Sequence, residues 1–229
     1  MDYQKIRLLS FDCYGTLIDW KESVLSILES FFKVTPLSFS REELFRAFLE
    51  ADRKIISDSY LPYREILAKV IELMAEDLRF SIDPASRYLL SDRFSEWKPF
   101  PDTVRSLKQL KEKFQLAIIS NVDDELFSIS NKLLEVEFDF IVTAQQIGSY
   151  KPDHRNFLRA LEIFNIEKQE HLHVAQSIYH DIVPANQLGL NKVWVNRYGE
   201  PERTDPIEYP DLEVPDLQSL VRILEIEKA

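Results

Sequence analysis

The stretch that decides the fold is "KIRLLSFDCYGTLIDW", residues Lys5–Trp20. A short apolar run ends on one acid, Asp12, and Gly15 and Thr16 follow at once. Such a run is typical of a strand that is covered on both faces of a parallel sheet. Gly15 lets the backbone approach a bound anion, and Thr16 can orient the carboxylate. We therefore predict that Asp12 is a nucleophile that forms an ester with substrate; the alternative is an aspartate that only ties down its turn.

Composition narrows the class of protein. The chain has 229 residues, of which 45% are hydrophobic, and its net charge is −11. This size allows one large domain with an insert, and the acidic charge argues against nucleic acid and anionic membrane as partners. The single cysteine, Cys13, excludes an internal disulfide framework and a multi-cysteine zinc site. With no signal-peptide pattern at the N-terminus and no run of about 20 apolar residues, we expect a cytoplasmic protein.

Strand-like and helical patterns alternate along most of the chain. This alternation predicts an α/β fold, a Rossmann-like open and mainly parallel sheet with helices on both faces. Helical patterns are "PDTVRSLKQLKEKF", "DDELFSISNKLLE", "DHRNFLRALEIF" and "DIVPANQLGL". The strand-like runs are Ile6–Phe11, Leu116–Ser120, Phe138–Val142, Leu172–Ala175 and Lys192–Asn196.

The segment 19–97 differs, because apolar residues recur there at three- and four-residue spacings without a strand pattern. We predict a helical cap insert at 19–97 and a catalytic core formed by 1–18 and 98–229. The cap aromatics, such as Phe31, Phe32, Tyr60 and Tyr63, are expected to be core residues, with a substrate-pocket role as the alternative. The proline-rich tail beyond Gly199 is expected to be an extended wrap before a final helix.

Polar side chains follow four of the predicted strands. Ligands bind beyond the carboxyl ends of the strands in an open parallel sheet, so we expect these residues to converge on one site. Lys151 can neutralise Asp12, and Asp181 can orient Lys151 or a water. Helix capping is an alternative for Asp181 and for the Ser120–Asn121 pair. The residues are Asp12, Ser120, Asn121, Lys151, Gln176, Ser177 and Asp181.

The order "FDCYGTL", "IISN", "SYKPD", "HVAQSIYHD" resembles the four motifs of the haloacid dehalogenase superfamily, and its type II L-2-haloacid dehalogenase branch most closely. Phosphatases of the superfamily carry a second acid where this chain has Tyr14, and another acid where it has Gln176. The resemblance therefore implies displacement of halide at carbon, without a metal or other cofactor. Under the alternative of a magnesium-dependent phosphatase, Asp12 and Asp181 would be the metal ligands, and they would form a weak site.

The resemblance also implies roles for residues. Asp12 attacks the carbon that carries the halogen, Thr16 orients Asp12, and Lys151 and Asp181 hold the nucleophile and the hydrolytic water. Ser120 and Asn121 contact the substrate carboxylate and the halide. A cap arginine completes the anion site; Arg46 is the first candidate, with Arg53 and Arg41 open. The other substrate-binding candidates are Cys13, Tyr14, Gln176 and Ser177.

Two departures from the branch pattern concern the substrate. Phe157 stands where these dehalogenases usually carry tyrosine, and "AQSIYHD" is one residue longer than their fourth motif. His173 and His180 are candidates for a base, with a structural role as the alternative. Cys13 beside the nucleophile is either a thiol nucleophile or a small buried residue. We expect a small anionic substrate and a possible homodimer; a non-catalytic protein that binds a small acid or a partner is the remaining alternative.

Overall fold

The structure is a computed structural model that describes residues 2–33, 37–55, 60–201 and 204–226. It contains a six-stranded sheet of order β3-β2-β1-β4-β5-β6, in which every pair of neighbouring strands is parallel. The strands are β1 (Leu8–Phe11), β2 (Gln115–Ser120), β3 (Phe140–Thr143), β4 (His171–Ala175), β5 (Asn191–Val195) and β6 (Leu212–Val214).

Apolar packing on both faces explains why the strands are nearly continuous apolar runs. In β2, Leu116 and Ile118 belong to one buried cluster, whereas Ala117 and Ile119 belong to a second cluster on the other side. Successive strand residues point to opposite faces, so both faces need apolar side chains. β1 lies between β2 and β4, and all four of its residues are buried. The first predicted strand is therefore a central one.

Ten α-helices lie among the described residues, and they fall into two groups. Five come between β1 and β2, of which the first four form the helical insert and the fifth leads back to the sheet, whereas the other five come after β2 and cross between strands or close the core. The predicted α/β fold with an inserted helical cap is confirmed, while the boundaries 19–97 stay a prediction. The helices are α1 (Trp20–Phe32), α2 (Arg41–Lys54), α3 (Tyr63–Asp77), α4 (Leu89–Asp92), α5 (Thr103–Lys111), α6 (Asp124–Leu134), α7 (Ala144–Ile147), α8 (His154–Phe164), α9 (Val183–Gln187) and α10 (Leu217–Ile226).

The cap has its own aromatic interior. Phe32 packs edge-on against Phe39 and Phe80, with ring centroids 4.9 Å apart in each case. The Ser40 hydroxyl and the Glu43 carboxylate form a capping box at the start of α2. Phe31 packs beside Phe32. These two phenylalanines therefore contribute to cap packing, as expected from their helical spacing.

Two local expectations are wrong. The tail is not only an extended wrap, because residues 212–214 add β6 to the edge of the sheet beside β5. A three-residue strand between Pro210 and Pro215 leaves no readable apolar run. The predicted helical insert is not helical throughout, because its last part, "ASRYLLSDRFSEW" (residues 85–97), divides into α4 and two 3-10 turns, Ser86–Tyr88 and Phe94–Glu96. The predicted final helix is present as α10.

Candidate active site

The segments that follow β1, β2, β3 and β4 bring the predicted residues to one place. Asp12 follows β1 directly and is 6% exposed, while Lys151 and Asp181 are 2% and 0% exposed. The Lys151 Nζ donates to Asp12 Oδ1 at 2.9 Å, to Asp181 Oδ1 at 2.6 Å and to the Ile119 carbonyl at 2.9 Å. All three ammonium protons are used, so one buried cation sits between two buried carboxylates.

The other oxygen of Asp12 is held by Thr16. The Thr16 Oγ1 donates to Asp12 Oδ2 at 2.8 Å and accepts from the Gln176 backbone N–H at 2.9 Å. The Thr16 carbonyl accepts two bonds from the Arg197 guanidinium, whose third contact is Asp102 at 2.7 Å. The loop after β1 is thus tied to the ends of β4 and β5, and both carboxylate oxygens of Asp12 have fixed partners.

Gly15 makes this turn possible. Its φ of +101° lies where L side chains are strained. A Cβ at Gly15 would lie 3.1 Å from the Gln176 Oε1 and 3.3 Å from the Trp20 Nε1. The backbone of the loop therefore lies close to side chains from the core and the cap.

Asn121 holds the Lys151 loop in place. Its Oδ1 accepts from the Lys151 backbone N–H at 2.7 Å, and its Nδ2 donates to the Lys151 carbonyl at 3.0 Å. This reciprocal pair binds the end of β2 to the "YKPD" segment. The amide of Asn121 is thus committed to positioning Lys151, a contact that the sequence reasoning did not predict.

Burial and charge set the pKa values of the three ionisable groups. Burial raises the pKa of Asp12, and the Asp181 charge adds to this, while Lys151 and Thr16 oppose it. Burial also disfavours the charged form of Asp181, but Lys151 and His173 outweigh it and hold the pKa of Asp181 at about 2. The two carboxylates overcome the burial of Lys151 and raise its pKa. Lys151 therefore stays protonated at neutral pH.

Two oxygen atoms of the site remain without hydrogen-bond partners among the described residues. They are the Oγ of Ser120, a residue that is 2% exposed, and the Oδ2 of Asp181. Buried polar atoms are normally paired, so each of these atoms can accept a bond from a ligand or a water. Both belong to motifs that the sequence analysis selected for substrate or water contact.

The polar side chains of the fourth motif form hydrogen bonds with other parts of the protein and with one another. The Gln176 Nε2 donates to Glu200 Oε1 at 2.9 Å. The Ser177 Oγ accepts from the His180 backbone N–H at 3.1 Å and lies 3.1 Å from the His180 Nδ1. Asp181 lies in a π-helical turn, Ile178–Ile182, which follows directly after Ser177. The extra residue of "AQSIYHD" is accommodated in this wider turn.

The described residues do not fit a magnesium ion. Magnesium takes octahedral oxygen ligands that include carboxylates. Here the Lys151 ammonium occupies the position between Asp12 Oδ1 and Asp181 Oδ1, and the neutral Gln176 replaces an acid. Among the residues that the structure describes, no group of three or more His, Cys, Asp or Glu side chains could hold a metal.

Cys13 and Tyr14 lie beside the nucleophile but face the core. Cys13 is fully buried in the main apolar cluster, and burial raises the pKa of its thiol well above the ordinary value. The Tyr14 hydroxyl pairs with the Ser130 Oγ at 3.1 Å, and its ring packs edge-on against Phe94 and Trp97. Neither arrangement favours substrate contact, and a protonated thiol does not act as a nucleophile.

The cap arginines lie apart from this cluster. Arg46 is exposed on α2, and no contact between it and the core motifs is found among the described residues. Arg41 pairs with Glu22 and Glu29 at the start of the same helix. The aromatic residues Phe45 and Phe48 of α2 instead pack against Trp20, with ring centroids 6.1 and 5.7 Å apart. The structure therefore does not bring Arg46 to the nucleophile.

A connection between cap and core escaped the sequence reasoning. Asp123, at the start of α6, accepts the backbone N–H groups of Tyr63 and Arg64 at 2.8 Å each and the Tyr60 hydroxyl at 3.1 Å. It thus caps the cap helix α3 rather than its own helix. The Tyr150 hydroxyl donates to the Leu61 carbonyl at 2.7 Å, and its ring stacks on Tyr60. The sequence feature that could have pointed to this contact is the position of Asp123 in "NVDD", directly after the second motif.

The fold and the site define a class: an α/β protein with a helical cap and a buried aspartate–lysine–aspartate cluster at the strand ends. The chain belongs to the haloacid dehalogenase-like hydrolase family, whose model matches residues 9–195. It is therefore a hydrolase.

Two curated relatives specify the branch, and one solved structure supports the fold. Haloacetate dehalogenase H-2 of Moraxella sp. strain B is 26% identical, with 97% of this chain and 100% of the relative covered. The (S)-2-haloacid dehalogenase of Pseudomonas sp. strain YL is also 26% identical, with 98% and 96% covered. L-2-haloacid dehalogenase from Xanthobacter autotrophicus, with chloropropionic acid covalently bound, has a TM-score of 0.76 at 20% identity, with 96% and 98% covered. The predicted superfamily and branch are confirmed, and the solved structure supports the fold.

Proposed function

We propose that the protein is a metal-independent hydrolytic dehalogenase that converts short 2-haloalkanoic acids to 2-hydroxy acids through an ester on Asp12. The observation that carries the proposal is the Lys151 ammonium, which donates to both Asp12 Oδ1 and Asp181 Oδ1. This arrangement holds a carboxylate nucleophile and a second carboxylate in place without a metal ion. Asp181, the acid beside Asp12 in the described part of the chain, has its pKa held at about 2 and so carries no proton for a leaving oxygen.

The missing acid distinguishes the possible leaving groups. A phosphate ester releases an alkoxide, which needs a proton from a neighbouring acid. Tyr14 stands at the position that would supply it, and its hydroxyl is engaged by Ser130 while burial raises its pKa well above the ordinary value. A halide leaves as a stable anion and needs no proton. The site is therefore better suited to displacement at carbon than at phosphorus.

The first step forms the covalent ester. A carboxylate oxygen of Asp12 attacks the carbon that bears the halogen, the carbon–halogen bond breaks, and the electron pair leaves with the halide. Lys151 and Thr16 fix the orientation of the attacking carboxylate. The unpaired Ser120 Oγ can donate a hydrogen bond to the substrate carboxylate or to the departing halide.

The second step releases the product. A water gives its proton to Asp181 as its oxygen bonds to the Asp12 carboxyl carbon, and the bond from that carbon to the ester oxygen then breaks. Lys151 stabilises the negative charge that develops on the intermediate, since its ammonium already contacts Asp12. Asp181 returns its proton to the ester oxygen, which leaves with the 2-hydroxy acid. Asp12 retains the oxygen from water, and the remaining water proton is released to solvent.

Support for the substrate class comes from the relatives. The two curated relatives carry the names haloacetate dehalogenase and (S)-2-haloacid dehalogenase. The solved relative holds chloropropionic acid covalently. Short haloacids are small anions, which agrees with a nucleophile that is only 6% exposed.

Halide release in EDTA tests the proposal. The purified protein is incubated with chloroacetate and with each enantiomer of 2-chloropropionate, and chloride is measured. We expect release that EDTA does not reduce. A parallel reaction contains p-nitrophenyl phosphate and magnesium. Phosphate turnover that EDTA abolishes, or no chloride from any of the haloacids, would contradict the proposal.

A further inference from the structure

A chain of buried polar side chains continues from Asp181 beneath the sheet. The His173 Nε2 lies 2.9 Å from Asp181 Oδ1, and the His173 Nδ1 lies 2.7 Å from the Ser10 Oγ. The Ser10 Oγ in turn lies 2.6 Å from the His171 Nε2. All four residues are 0% exposed. The proposed reaction uses none of Ser10, His171 and His173, although His173 is the first residue of the stretch "HVAQSIYHD" and was a candidate for a base.

We propose that His173 is a positioning residue for Asp181, oriented by Ser10 and His171, and that it leaves Asp181 Oδ2 as the oxygen that receives the proton of the hydrolytic water. The proposal rests on the proposed function, because it assigns His173 to the second step of that reaction. With Lys151 and His173 both on Oδ1, the Oδ2 atom has no partner among the described residues.

Strand geometry brings the chain together. His171 and His173 lie two residues apart on β4, so their side chains share one face. Ser10 of β1 is the register partner of His173, and it therefore stands beside both rings. The face is closed by α8, where Phe157 packs on His173 and Phe164 on His171, with centroids 5.3 and 5.8 Å apart. This hydrogen-bonded series of side chains is therefore buried away from solvent.

The donors and acceptors can be assigned one after another. An ionised Asp181 only accepts, so the His173 Nε2 carries a proton. A single proton on the His173 ring leaves Nδ1 as an acceptor, and the Ser10 hydroxyl is then the donor. Ser10 Oγ consequently accepts from the His171 Nε2–H. This leaves the His171 Nδ1 without a proton, and that atom has no partner among the described residues.

The opposite assignment is less favourable. If Ser10 donated to His171, the His171 Nδ1 would carry a proton with no acceptor, in a fully buried place. His173 would then need protons on both nitrogens. Burial lowers the pKa of His171 to about 3, so its ring stays neutral at neutral pH. In this assignment each hydrogen bond, from His171 through Ser10 and His173, is donated in the direction of Asp181. The three side chains therefore orient the Asp181 carboxylate and do not remove a proton from it.

The presence of Phe157 makes the hydrogen bond from His173 to Asp181 more important. A phenylalanine ring offers no hydroxyl, so Lys151 and His173 are the side chains that donate to Asp181 in the described part of the chain. Lys151 also contacts Asp12, and it cannot by itself fix which oxygen of Asp181 faces the water. The second donor supplies this selection.

Two variants of His173 test the proposal. His173→Phe removes the donor, and His173→Gln retains an N–H near the position of Nε2. In rapid-mix reactions with chloroacetate we expect the first turnover of chloride at the wild-type rate in both variants. Hydrolysis of the ester should slow about 10- to 100-fold in H173F, so that the covalent adduct accumulates in mass spectra. H173Q should restore most of the rate of ester hydrolysis. His171→Phe should slow this step less than H173F, because His171 is separated from His173 by the two hydrogen bonds of Ser10.

A merely structural role predicts a different pattern. Equal slowing of both steps, or no rescue by H173Q, would overturn the proposal. Tautomers measured by NMR on ¹⁵N-histidine protein give a test that needs no substrate. We expect Nε2–H at both histidines and an unprotonated Nδ1 at His171; Nδ1–H at either ring would also overturn it. If wild-type protein releases no chloride, the proposed function fails, while the tautomers still decide how the chain is oriented.

Discussion

The floor of the candidate site and the cap above it are built in different ways. On the floor, Asp12, Lys151 and Asp181 are buried and joined by bonds of 2.6 to 2.9 Å. On the cap, Arg46 is exposed and Arg41 is engaged with acids of α1. A parallel sheet brings its strand ends together whatever the loops do, whereas a helix can present different residues after a small rotation. The residues proposed for the chemistry are therefore positioned by the sheet, whereas the side chains that the cap presents to the site depend on its packing.

The largest effect is expected at Asp12. The variant Asp12→Asn replaces the nucleophile with a poor one and should reduce chloride release by about 10⁴-fold or more, while the fold survives. Cys13→Ser is the matched control, because that thiol lies in the core and is protonated. Initial rates and melting temperatures of both variants provide the check. Loss of activity in C13S alone would point to the thiol instead.

Lys151 joins the two carboxylates of the floor. Lys151→Met leaves Asp12 and Asp181 buried without their shared cation, so it should lower both activity and stability. Breaking a buried ion pair in this way costs about 3–5 kcal/mol in proteins. Urea unfolding of K151M at pH 7 measures the change, and Lys168→Met, at an exposed turn, serves as the control. Unchanged stability would mean that the floor is not held by this cluster.

The connection at Asp123 joins floor to cap. Asp123→Ala removes three hydrogen bonds to residues 60–64 and leaves two backbone N–H groups of α3 without partners. We expect a loss of about 1–2 kcal/mol in the free energy of unfolding, together with a raised KM. Glu125→Ala, which removes an exposed acid two positions further on, is the control for loss of a negative charge. Equal effects of the two variants would argue against a specific link between cap and core.

The pH dependence reports on the floor alone. Burial raises the pKa of Asp12, and only its ionised form attacks, so kcat/KM should fall as the pH drops through a pKa higher than that of an ordinary aspartate. Asp181 should not produce this limb, because its pKa is held at about 2. Thr16→Val removes a bond that favours the ionised form and should move the limb to higher pH. A limb that moves to lower pH in T16V would contradict this assignment.

The smallest effect is expected on the cap. If Arg46 binds the substrate anion when the cap closes, Arg46→Met should raise KM about tenfold and change kcat less. Arg53→Met is the matched comparison, because Arg53 lies seven residues further along the same helix. A larger effect of R53M would assign the anion site to Arg53. If neither variant alters KM, no arginine of this face binds substrate.

The sequence predicted the floor more completely than the cap, for a physical reason. An apolar run that ends on a polar residue indicates both a strand and its carboxyl end, so the convergence of Asp12, Lys151 and Asp181 could be expected. The contacts of Asn121 with Lys151 and of His173 with Asp181 depend on which neighbours the strands acquire, and no local pattern encodes them. The strand β6 was missed because three residues between prolines carry no periodic signal.

The cap also shows that a local sequence pattern does not predict tertiary contacts. Its helices are readable from their apolar spacing, but the direction of Arg46 depends on how α2 packs against α1 and Trp20.

Within the described ranges, none of the helices has the length and apolar character that a membrane span requires. The expected homodimer stays a prediction.

The central claim, covalent attack by Asp12, is tested most directly by a single turnover in H₂¹⁸O with protein in excess over chloroacetate. Mass spectrometry of the peptide that contains Asp12 should show one ¹⁸O in its carboxylate, and the glycolate released in that turnover should contain none. An unlabelled peptide together with labelled glycolate would mean that water attacks the substrate carbon directly, and the account would then be wrong.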